Sequence, residues 1–107
     1  MGRFVMSKRK NGKFQFNLKS GNSEVVLTSE GYKARSNCLN GIESVRKNSQ
    51  VETRYDLKTA KNCKFYFNLK ASNGQIVATS EIYNEMSGRK NGVASVMKNA
   101  PGANVEE

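Results

Sequence analysis

A gapless internal duplication constrains this chain more than any other feature. At an offset of 51, residues 1–49 lie over residues 52–100 with many identities. Phe14, Phe16, Asn17, Leu18 and Lys19 fall on Phe65, Phe67, Asn68, Leu69 and Lys70. Thr28-Ser29-Glu30 falls on Thr79-Ser80-Glu81, and Tyr32 on Tyr83. Asn40-Gly41, Ser44-Val45 and Lys47-Asn48 fall on Asn91-Gly92, Ser95-Val96 and Lys98-Asn99. Two copies are too few for a solenoid. A unit of about 50 residues buries too little surface to stand alone without a disulfide or a metal. The expectation is therefore one domain over residues 1–107, built from repeats 1–51 and 52–107 about a pseudo-two-fold axis. Such a duplication replaces a homodimer, so a monomer is expected.

Each repeat reads as β-β-β-α-β. Residues 13–19 alternate strictly: Phe14, Phe16 and Leu18 on one face, Lys13, Gln15, Asn17 and Lys19 on the other, the pattern of a half-buried strand. Residues 64–70 repeat it with Tyr66 on the polar face. Asn73-Gly74 signals a two-residue hairpin turn, which pairs Ser72 with Gln75, Leu69 with Ala78 and Phe67 with Ser80. That register sends Ile76 and Ala78 inward and Val77 and Thr79 outward; in the first copy Gly21-Asn22 turns the chain and Val25 and Leu27 point inward. Earlier strands run through Phe4 and Met6, and through Tyr55 and Leu57. An odd-length loop or a bulge at Asn11-Gly12 keeps Met6 on the face of Phe16.

Residues 36–48 read as a helix with Ser36 at its N-cap and Asn48 closing its end. Cys38, Ile42 and Val45 share one face with Gly41, whose missing side chain permits close approach to the sheet. Ser87, Gly92, Val93, Val96 and Asn99 repeat the scheme. In the second copy Arg89 replaces Cys38, which marks an exposed helix start. Pro101-Gly102 ends the second helix, and short extended stretches follow the helices at 51–54 and 103–105. The fold class is α+β: one antiparallel sheet with both helices on one face.

The F-x-F-N-L-K strand, T-S-E-x-Y corner and N-G-[IV]-x-S-V helix, in residues 13–49 and again in 64–100, resemble the YegP-like family of small bacterial proteins. The resemblance covers nearly the whole chain. It implies two β(3)-α-β repeats that form one sheet and exchange their C-terminal strands. It implies no activity.

Composition removes several function classes. Without histidine the chain lacks the usual general base at neutral pH and the commonest metal ligand. The carboxylates are scattered, and no nucleophile elbow, phosphate loop or dinucleotide fingerprint occurs. Neither an enzyme nor a cofactor site is expected. Cys38 and Cys63 lack metal or redox spacing, and Cys38 is expected to pack under its helix. No apolar run approaches the ~20 residues of a membrane span. The stretch from Met1 to Met6 has no long apolar core and no cleavage pattern. A cytoplasmic protein without membrane contact is expected.

The net charge of +9 draws nucleic acid and acidic proteins. It is uneven: residues 1–51 carry 10 Lys and Arg against 3 Glu, residues 52–107 carry 8 against 6 acidic residues. The candidate binding surface is the polar sheet face, with Lys13, Asn17 and Lys19 from one copy and Lys64, Tyr66, Asn68 and Lys70 from the other. Lysines and amides contact phosphates, and a tyrosine can stack a base. The competing account is that an alternating strand has a polar outer face whatever its role. The T-S-E-x-Y corner likewise has a loop-function reading and a folding one, in which Ser and Thr satisfy backbone groups and Tyr buries its ring. The alternative function is a protein-interaction or self-assembly module without a nucleic-acid role.

Overall fold

A computed structural model describes residues 2–107. Met1, where the N-terminal stretch begins, lies outside them. Repeat 1 contributes β1 (Arg3–Lys8), β2 (Phe14–Lys19), β3 (Val25–Ser29) and α1 (Arg35–Asn48). Repeat 2 contributes β4 (Tyr55–Thr59), β5 (Phe65–Lys70), β6 (Ile76–Ser80), α2 (Met86–Asn99) and β7 (Asn104–Glu106). One seven-stranded sheet runs through both repeats in the order β4-β5-β6-β3-β2-β1-β7. The two-fold relation is visible where the repeats meet: Thr28 pairs with its own equivalent, Thr79, in the antiparallel β3–β6 ladder.

The alternating strands form because one side is covered. Phe4, Phe16, Leu18, Leu27, Phe67, Leu69 and Ala78 join Cys38, Ile42, Val45 and Val96 in one buried cluster, so both helices cover the same sheet face. Phe14 and Val93 are half-buried against it, and Phe65 lies half-buried beneath Arg89. Each helix reaches across the repeat boundary, α1 onto β5 and β6 and α2 onto β3.

The hairpins differ from the sequence reading in an instructive way. Met6 lies opposite Phe16 because the first loop has three residues, Lys10 to Gly12, closed by Arg9 N–H donating to the Lys13 carbonyl at 2.7 Å. The second hairpin of each repeat also has a three-residue loop, closed by Ala71 N–H donating to the Gln75 carbonyl, and not the two-residue turn expected at Asn73-Gly74. A β-bulge at Leu69/Lys70 then restores the register. Leu69 faces Ala78 as expected, but between turn and bulge the sides shift: Val77 is buried and Ile76 exposed. Repeat 1 does the same, burying Val26 while Val25 is only half-buried.

Ser36 and Ser87 are not N-caps; Ala34 and Glu85 hold those positions without side-chain caps. Asn48 does not close its helix with a left-handed residue. It is buried, and its side chain donates back to the Ser44 carbonyl and hydroxyl, as Asn99 does to Ser95. Ser49 continues the helical conformation instead. Residues 51–54 form no strand. They make a short 3-10 turn, Glu52–Arg54, and only β7 crosses to the other repeat, pairing parallel with β1. The reason is connectivity. The repeat-1 equivalents of Asn104, Val105 and Glu106 are Thr53, Arg54 and Tyr55, which lead straight into β4 and cannot lie beside it.

Candidate functional site

The sheet face opposite the helices carries the candidate residues. Its central row is set by register: Glu106, Val5, Asn17, Thr28, Thr79, Asn68 and Asp56 stand side by side across the sheet. Asn17 and Asn68 flank the axis symmetrically, but Asn68 is buried and accepts a hydrogen bond from the Thr79 hydroxyl at 2.9 Å. The row is polar and hydrogen-bonded at its centre, with charge toward its flanks.

Those flanks are unequal. In repeat 2, Lys70 and Lys58 both reach Asp56, at 3.1 and 3.3 Å. Their hydrogen bonds hold the Asp56 carboxyl below the usual carboxylate range. Tyr66 stands beside Lys58, half-buried. In repeat 1, Asp56 is replaced by Val5, and among the described residues Lys13 and Lys19 make no ion pair. Lys64 makes none either. Arg9 lies beside Lys13 and bonds the Gln15 side chain and the Ser29 carbonyl, while Arg3 pairs with Lys19 across the ladder and reaches Glu106 at 3.5 Å. The candidate set therefore divides: Lys13, Asn17 and Lys19 join Arg3 and Arg9 on one half, while Tyr66, Asn68 and Lys70 sit with Asp56 on the other. Sequence reasoning missed Arg3, Arg9 and Asp56. The legible signal for Asp56 was its place over Val5, between two lysines of the same face.

The T-S-E-x-Y corner has a folding role at two of its residues. Ser29 Oγ accepts from Phe16 N–H at 2.9 Å and donates to the Glu30 carbonyl at 2.8 Å, and Ser80 does the same with Phe67 and Glu81. Tyr32 and Tyr83 bridge the backbones of Phe14 and Phe65. Each tyrosine hydroxyl fills the space where a Cβ on Gly41 or Gly92 would sit. The helix glycines are thus notches for tyrosine, and burial pushes both phenols upward in pKa. Among the described residues no cluster of metal-ligating side chains occurs, and no helix is long and apolar enough to cross a membrane.

The family description "Domain of unknown function (DUF1508)" matches residues 10–56 and again 60–107. The chain belongs to this family. A DUF1508 relative from Shewanella oneidensis, a UPF0339 protein, is 49% identical over 99% of this chain and 96% of its own length. The UPF0339 protein YegP of Escherichia coli K12 is 47% identical over the same shares. The solution NMR structure of a UPF0339 protein from Shewanella oneidensis superposes with a TM-score of 0.93 at 50% identity, over 98% of this chain and 89% of that one. That of E. coli YegP, a protein of unknown function, gives 0.94 at 48% identity, over 98% of this chain and 90% of that one. The tandem architecture is that of the DUF1508 family.

Proposed function

We propose that this DUF1508 protein is a non-enzymatic, cytoplasmic, monomeric binding module whose open sheet face takes an anionic chain, single-stranded nucleic acid above all. The observation that carries the reading is that, among the described residues, Lys13 and Lys19 make no ion pair, beside Arg3 and Arg9 on the sheet face opposite the two helices. Tyr66 offers one stacking surface. Binding by such a face falls steeply with salt, each contacting lysine adding about 0.7 to the slope of log affinity against log salt on a single strand.

The test is a titration of labelled RNA and single-stranded DNA at several salt concentrations. Replacing Lys13 and Lys19 by Gln flattens the slope by about 1.4. Replacing Lys64 and Lys70 by Gln has the smaller effect, because Lys70 is already occupied by Asp56. Tyr66→Ala costs a further ~1–3 kcal/mol where a base stacks. Equal, non-zero effects of the two lysine pairs would spread the contact over both halves and overturn the repeat-1 assignment. No binding at tens of micromolar, or a slope that neither pair changes, would leave the face a solvated surface and favour an acidic-protein partner.

A further inference from the structure

The two repeats treat one groove differently. In repeat 1, β7 lies along the β1 edge, under α1, and is clamped there by three arginines. Arg46 donates to the Ala103 carbonyl, Arg35 bonds Glu107, and Arg3 reaches Glu106. Ala103 is buried in this seat. At the offset of 51, the β1 edge becomes β4 and α1 becomes α2. There a groove of about 640 Å³ lies open, lined by Tyr55, Leu57, Met86, Val93, Ala94 and Met97 among others. Among the described residues no strand flanks β4 on that side, because repeat 1 has no free terminal strand to supply one. The consequence is exposed apolar surface: Leu57 is 54% exposed where its equivalent Met6 is 5%.

We infer that this groove is a docking seat for an extended, non-acidic segment of another protein, added to the sheet as a strand parallel to β4. The geometry is taken from the molecule's own occupied copy, in which β7 runs parallel to β1. The chemistry comes from the substitutions between the copies. Arg35 and Arg46, which hold the acidic β7, become Met86 and Met97. Val5, which lies beside Glu106 in register, becomes Asp56. A β7-like strand here would set one glutamate against a methionine and the other against an aspartate. A second copy's C-terminal strand thus loses both helix arginines, and its terminal glutamate meets Met86. At the Glu106 position Arg54 stands where Arg3 does and Lys58 and Lys70 pair Asp56, so the discrimination falls on the Glu107 position. An apolar residue in place of Glu107 fits instead. Methionine walls adapt to varied apolar side chains, strand addition supplies the backbone hydrogen bonds, and Lys90 can lay its stem along the wall with its charge in water. Arg89 also lines the groove, lying over the Phe65 ring and donating to the Lys58 carbonyl of β4 at 2.9 Å, beyond Tyr55 and Asp56, which match the β1 residues that pair with β7.

The test uses two synthetic peptides on the full isotope-labelled chain, read by amide and methionine-methyl shifts. One has the chain's own terminal sequence, Ala-Pro-Gly-Ala-Asn-Val-Glu-Glu; the other ends Val-Thr-Leu. The Thr-Leu peptide should bind saturably at β4 and at Met86 and Met97, about tenfold more tightly than the acidic one, as burial of one leucine predicts. β1 and β7 should not respond. Exchanging Met86 and Met97 for Arg should reverse the preference toward the acidic peptide, and Leu57→Asp, on an exposed position, should weaken both. Absence of saturable shifts at β4 up to millimolar peptide, equal affinity of the two peptides, or shifts confined to β1 and β7 would each overturn the proposal. Salt-dependent nucleic-acid binding, tested separately, has no bearing on it.

Discussion

Equivalent positions of the two repeats meet the same structural duty with different side chains, and the difference has an energetic sign. Gly12 closes the first loop of repeat 1 at φ +83; its equivalent, Cys63, holds φ +64 with a side chain attached. The left-handed conformation costs a non-glycine residue about 1–2 kcal/mol, and a glycine there would give back roughly half of that in unfolded-chain entropy. Cys63→Gly should therefore raise stability by roughly 0.5 kcal/mol in chemical denaturation, with no change at Cys38, which is buried. Asp56 is the second case. Its carboxyl is held low in pKa, first by hydrogen bonding to Lys70 and then to Lys58. A depressed carboxylate contributes stability above the unfolded pKa and loses it as pH falls through the lowered folded value. Stability should thus decline on the acid side, below the ordinary aspartate pKa of about 4, by more in the parent than in Asp56→Asn. The same substitution releases Lys58 and Lys70. It should tighten single-stranded nucleic-acid binding and steepen its salt dependence, and a variant that binds no better would argue against a role for the repeat-2 half of the face.

Among elements, β7 is the one whose loss acts farthest from its place in the chain. It belongs to repeat 2 in sequence and to repeat 1 in space. Removing residues 103–107 takes away the ladder to β1, the arginine contacts and the buried Ala103. The expected cost is on the order of 2–4 kcal/mol, counting a few hydrogen bonds net of solvent. Hydrogen exchange should accelerate in β1 while β4, across the sheet, stays as it was. The exchange of this strand was legible only through the family resemblance, whereas strand alternation and the helix face were legible from periodicity alone. What periodicity could not convey was the pairing of two one-residue irregularities in each second hairpin. A three-residue loop and a bulge cancel, so Leu69 still meets Ala78, yet Val77 and Ile76 trade sides between them. Likewise the polar strand face was readable as a candidate surface, but its partition was not. That depends on Asp56 reaching two lysines from neighbouring strands, a contact that no spacing along one strand reports.

For the whole molecule, the decisive property is that neither repeat keeps its own core. The sheet closes through β3 and β6, α1 lies on strands of repeat 2, α2 on a strand of repeat 1, and β7 covers β1. Residues 1–51 alone would expose Leu27 on β3 and Phe4 on β1, both fully buried in the intact chain, besides the face of α1 that meets β5 and β6. At about 25 cal/mol per Å² of apolar surface, losing such contacts removes several kcal/mol from a unit whose margin is already small. The isolated first repeat should therefore be unfolded, or should pair with a second copy of itself through β3. Residues 52–107 should fare no better, since β7 then has no β1 to join. Mixing the two fragments should restore the native amide spectrum, because the boundary between them falls at an exposed residue, Val51, ahead of a short turn. The measurement is sedimentation together with amide dispersion for each fragment and for the mixture. A first repeat that is monomeric with dispersed amides would mean that each copy holds a sufficient core, and the shared sheet would then be an association of two independent units.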